Sequence, residues 1–143
     1  MTEKLNPFLD NKTKIDIKSL IYTFREKQVM LDSDIAELFN VETGNLNKAM
    51  TRNINRFPDD FCFQLTNDET SILLWSQNAT SRFVSSKRRY NPYVYNEQGI
   101  ITLAGVLKSE VSDQMCVRIS RVFVKMRHAL IEYPASLKLM TNA

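Results

Sequence analysis

The side chains best suited to chemistry lie on one short stretch, residues 43–56. Asn45, Lys48, Thr51, Arg52 and Asn55 recur there at spacings of three and four, which a helix gathers onto one face. Amide, hydroxyl, ammonium and guanidinium groups are the ones that read base edges or hold phosphates in a major groove. Thr43, Gly44, Asn47 and Arg56 flank that face, where phosphates of a bound duplex would lie. No acid follows Glu42 on this stretch, although solvated helix faces normally mix signs. Gly44 costs a helix roughly 1 kcal/mol. Close approach to a groove would explain it, and so would packing against a neighbouring helix.

Such a face needs an anchored inner side and a partner helix. At about 100° per residue, Leu46, Met50, Asn53 and Phe57 cluster opposite the polar face and form its core side. The helix is expected over Thr43–Arg56, ended by Pro58, which disfavours helix in the residue before it. Ahead of it, Asp32 or Ser33 caps a short helix over Asp34–Phe39. Ile35 and Phe39 face inward from that helix, with the small Ala36 at the crossing. Asn40 takes the turn position that favours positive φ, Val41 plugs the turn, and Leu46 and Ala49 face back. That is the spacing of a helix-turn-helix.

Around this pair the pattern is α+β. Leu20–Phe24 and Gln28–Leu31 read as a hairpin whose turn lacks Gly or Asn, and Phe61–Leu65 as a strand buried on one face. Thr66 and Glu69 form a capping box that opens a helix through Ile72–Trp75. Residues 76–91 form a Ser-rich basic loop, Tyr93–Tyr95 a strand, and Asn96 the cap of a helix over Glu97–Leu107. A long helix spans Glu110–Ile131, stopped before Pro134. Residues 15–132 are expected as one domain, with 1–14 a loose arm and 133–143 a tail.

The net charge of +3 conceals segregation. Windows 43–58, 70–96 and 114–131 hold 11 basic residues and no acid, while the remainder carries a balance of −8. A polyanionic partner is one explanation and chance clustering the other. In the second window Arg82, Lys87, Arg88 and Arg89 are suited to clamping phosphates from a flexible loop, or else merely to keeping it solvated. In the last helix Met115, Ile119, Val122 and Met126 make an apolar stripe. Core packing is the first use for it, and pairing with a second copy of the chain, as a homodimer, the alternative.

Other chemistries lack parts. Cys62 and Cys116 are isolated and His128 is the only histidine, so no metal site and no cofactor is expected. There is no phosphate-cradling Gly loop and no G-x-S-x-G, which argues against an enzyme. The chain has no signal peptide and no long apolar run, so a cytoplasmic protein is expected, without membrane contact.

Four blocks resemble the KilA-N-like phage DNA-binding domains, in the branch named for the N-terminal part of a phage open reading frame (ORF-six-N). They are Ser33–Val41, Arg52–Leu65 with its Arg-Asn-x-x-Arg-Phe-Pro-x-Asp-Phe run, Asn96–Ile100, and Phe123–Arg127. Asn96 stands where that family more often has Thr, and the basic loop lacks its usual glycines. The resemblance implies a transcriptional regulator or antirepressor of phages and prophages that binds double-stranded DNA through the helix-turn-helix. The alternative is an antirepressor or adaptor that binds another regulator protein and uses the helix pair as scaffold.

Overall fold

The computed structural model describes residues 9–10, 15–76 and 91–132. The loop cations Arg82, Lys87, Arg88 and Arg89 therefore lie outside the described residues, as do most of the expected arm and the tail. A two-residue pairing of β1 (Leu9–Asp10) with β2 (Ile15–Asp16) precedes a 3-10 turn at Ile17–Leu20. The expected hairpin follows as β3 (Ile21–Phe24) and β4 (Lys27–Leu31), closed with Phe24 opposite Lys27. Arg25 and Glu26 both adopt positive φ, 54° and 64°, the geometry that two-residue hairpin turns demand and that Asn-Gly would supply without strain. Tertiary contacts offset the strain. The Arg25 guanidinium bonds both Glu69 oxygens at 2.9 Å, the Gln64 carbonyl at 3.3 Å, and lies 4.1 Å above the Phe63 ring. The same contact holds the Glu69 carboxyl down at about 2.

β4 runs without a loop into α1 (Asp32–Phe39), which begins two residues earlier than the sequence suggests and has no side-chain cap. Asn40 closes α1 at φ 61°, and Val41 donates back to the Ala36 carbonyl at 3.0 Å. α2 covers Thr43–Arg52, shorter than expected. At its end the Asn53 side-chain amide donates to the Ala49 carbonyl at 2.8 Å, and the backbone leaves helical geometry at φ −120°. This is the familiar competition of an Asn amide with the helix ladder. Ile54–Arg56 continue as a separate 3-10 turn, so Asn55 and Arg56 leave the helix face on which the sequence places them.

β5 (Cys62–Gln64), α3 (Asn67–Ser76), β6 (Tyr93–Tyr95), α4 (Glu97–Leu107) and α5 (Glu110–Glu132) complete the order. The capping box is reciprocal: Thr66 N–H to Glu69 at 2.8 Å and Glu69 N–H to Thr66 Oγ1 at 3.1 Å. Asn96 caps α4 by accepting from Gly99 N–H at 2.9 Å.

The antiparallel sheet has the order β3-β4-β6-β5 and is buried on both faces, as the alternation of its side chains requires. Met30, Cys62 and Tyr95 face a large core shared with α1, α2, α4 and α5. Val29, Leu31, Phe63 and Val94 face a smaller core closed by Leu73 of α3. In α5, Met115, Ile119 and Val122 are buried in the larger core and Met126 packs against it. Core packing, the first use expected for this stripe, thus takes up Met115, Ile119 and Val122, with Met126 half-buried at its edge. No described helix is long and apolar enough to cross a membrane.

Candidate nucleic-acid interface

α2 is held from inside. Leu46 and Met50 are buried, and the helix packs on α1 and α4. Its orientation is fixed by a polar hub around Asp32, a fully buried residue. One Asp32 oxygen accepts from Ser33 N–H at 2.7 Å; the other accepts from Asn47 Nδ2 at 2.8 Å and from Tyr93 N–H at 3.2 Å. The Asn47 side-chain oxygen Oδ1 in turn accepts from Tyr95 Oη at 2.8 Å. One N–H and the side-chain oxygen of Asn47 are thus used inside the fold, tying α2 to α1 and β6, while the half-buried side chain also lines the groove beside α2. Asp32, expected as a helix cap, is instead the centre of this joint.

The outward residues are Gly44, Asn45, Lys48, Thr51 and Arg52, all exposed, with Thr43 half-buried. Asn55 and Arg56 are exposed on the 3-10 turn, beside Ile54. Among the described residues, Lys48, Arg52 and Arg56 make no ion pair, whereas Arg25 and Arg127 are paired with Glu69 and Glu97. Thr51 donates to the Asn47 carbonyl at 3.0 Å, leaving its hydroxyl oxygen able to accept. A Cβ built on Gly44 would meet nothing within 4 Å. Packing against another helix therefore does not explain this glycine.

The outer face is one wall of an open groove of about 500 Å³. Gly44, Asn47, Lys48, Thr51 and Arg52 line that wall, and Gln64 of β5 and Tyr93 of β6 line the other. A second depression of about 520 Å³ shares Thr51, Gln64 and Tyr93 and runs towards Arg25, Ile54 and Asp59. Nothing in the local sequence marked Gln64 or Tyr93. They come from separate strands, and only the sheet order sets them beside α2.

Burial pushes the Cys62 thiol up to about 12, so it stays protonated, and burial raises Cys116 as well. No group of three or more potential ligands that could hold a metal occurs among the described residues.

A family model of the ORF6N domain matches residues 19–106, more than half of the chain. The matched span takes in the four-stranded sheet, the α1–α2 pair, α3 and nearly all of α4. It stops short of α5 and of the resemblance block at Phe123–Arg127. No curated protein and no solved structure gives a significant match. The hairpin, the α1–α2 pair and the interlocked Arg52–Leu65 and Asn96–Ile100 blocks all fall inside the matched region, and the chain belongs to the ORF6N domain family, a phage-associated family.

Proposed function

We propose that the protein is a phage-type regulator that binds duplex DNA as a KilA-N-like helix-turn-helix, with α2 in the major groove. The observation that carries this reading is the contrast between the two sides of α2. The inner side is locked by Leu46, Met50 and Asn47, and the outer side is acid-free with Lys48 and Arg52 unneutralised among the described residues. A rigid cationic helix with amides at its N-terminal end has the parts for base readout. Asn45, Lys48, Thr51 and Arg52 read bases, while Asn55 and Arg56 contact the duplex from the 3-10 turn. The basic segment with Arg82, Lys87, Arg88 and Arg89 adds phosphate contacts.

Selection from random duplexes at moderate salt tests this directly: one motif is enriched by the wild-type chain. Arg52→Ala relaxes the choice at one position of that motif, costing about 1–3 kcal/mol for the preferred base pair. Arg56→Ala weakens all duplexes alike and reduces the salt slope by about one. Failure to enrich any motif, together with weak binding at every salt concentration, would remove the reading.

Gly44 gives a sharper separation. Gly44→Ala has room for its methyl group, so it stabilises the fold by about 0.5–1 kcal/mol while weakening DNA binding severalfold. Gly105, the other helical glycine whose Cβ would meet nothing, is the control. Gly105→Ala brings a similar stabilisation and leaves binding unchanged. Equal binding by both variants would show that Gly44 is not there for close approach.

A second reading, an adaptor acting on another protein, is favoured by α3. Trp75 and Ile72 are exposed on it at 89% and 58%, and exposed Trp is a typical anchor of protein interfaces. Trp75→Ala leaves DNA binding intact if α2 is the working surface.

A further inference from the structure

Resting on the DNA-binding reading of α2, we propose that one sugar-phosphate strand of the duplex lies in the groove between α2 and the sheet, gripped from the sheet side by Tyr93 and Gln64. A helix with its side chains is roughly 10–12 Å across, and the major groove is about 12 Å wide. A helix seated there fills the groove, so whatever stands beside it meets the flanking backbone. Here the flank is built. Lys48 and Arg52 supply positive charge from one wall, Tyr93 and Gln64 polar groups from the other, and no acid is among the described residues lining this groove.

Both sheet residues are held in place with hydrogen-bonding capacity to spare. The Tyr93 backbone is tied to Asp32 and its ring packs against the main core, while its hydroxyl makes no hydrogen bond among the described residues. Gln64 is exposed on edge strand β5, where its Nε2 donates to the Asn91 carbonyl at 3.0 Å and retains a second N–H. Tyr hydroxyls and Gln amides are common phosphate donors, and such contacts set register without carrying sequence information. The two residues thus supply affinity and fix how deep α2 sits, and the helix supplies the choice of bases.

Tyr93→Phe removes only the hydroxyl and keeps the ring that the core needs. Its expected result is about a tenfold loss of affinity, equal for the selected duplex and for unrelated duplexes, with the thermal midpoint and the enriched motif unchanged. Gln64→Ala behaves likewise. Phosphate-ethylation interference identifies the strand: one or two ethylated phosphates that block the wild type no longer discriminate in Tyr93→Phe. Wild-type binding with no loss in either variant overturns the proposal and leaves the function of α2 standing. A change in the enriched motif also overturns it, because the residues would then be reading bases. Absence of any duplex binding by the wild type at low salt removes the underlying reading and this proposal with it.

Discussion

Gly99→Ala is expected to destabilise the protein by about 3 kcal/mol, lowering its thermal midpoint by about 10 °C. A Cβ at this position would lie 2.2 Å from the Phe61 carbonyl oxygen and 3.1 Å from its carbon, with the Tyr95 Cβ at 3.4 Å. The obstacle is backbone, and it is held. The Phe61 carbonyl accepts from Asn96 N–H at 3.1 Å, and Phe61 N–H is itself bound to the Pro58 carbonyl at 2.8 Å. From the other side Asn96 Oδ1 fixes the Gly99 N–H at the start of α4. Neither the turn after Pro58 nor the first turn of α4 can retreat without giving up a hydrogen bond, which adds to the steric cost. Thermal or urea unfolding measures it. A midpoint within 2 °C of wild type would mean the joint can open freely.

That joint also explains why two separated sequence blocks belong together. The Pro58–Phe61 run and the Asn96–Ile100 run are two halves of one contact, in which a loop carbonyl meets a helix whose only tolerable residue at the crossing is glycine. The caps and periods of the chain were legible because they are local. Thr66 with Glu69, Asn96 as a cap, Asn40 in the αL turn and the hairpin at Ile21–Leu31 each depend on neighbours in the chain. The features that escaped depend on distance or on competition. An acid at a helix start looks the same whether it caps its own helix or, like Asp32, reaches across to another helix and a strand. The stripe Met115-Ile119-Val122-Met126 has the same period as a core face or a dimer seam, and only packing decides for the core. The end of α2 at Arg52, before an Asn53 amide that bonds back to Ala49, was hidden because Pro58 offered a plainer stop. The polar face of α2 was readable, and the second wall of its groove was not, since Gln64 and Tyr93 meet α2 only through the β3-β4-β6-β5 order.

Asp32→Ala is expected to cost about 3–5 kcal/mol, because it deprives three donors of one buried acceptor. Ser33 N–H, Asn47 Nδ2 and Tyr93 N–H would all lose their partner at a position with no solvent access to replace it. Relief from desolvating the carboxyl group recovers part of this, which keeps the total below the sum of three charge-assisted bonds. Asn47→Ala removes a different part of the hub, depriving the Tyr95 hydroxyl of its amide acceptor and Asp32 of one donor, and should cost about 2–3 kcal/mol. Because the two residues share one bond, the double variant should be less unstable than the two single effects together, by at least about 1 kcal/mol. Urea unfolding of the four proteins measures that coupling, and additivity within about 0.5 kcal/mol would refute the hub. The same experiment bears on function. The hub joins the start of α1, the middle of α2 and strand β6, so it sets both the angle of the cationic helix and the position of Tyr93 across the groove. On the proposed DNA-binding reading, variants that remain folded in low urea should therefore bind DNA more weakly than their stability alone dictates, since both walls of the groove lose a common reference point.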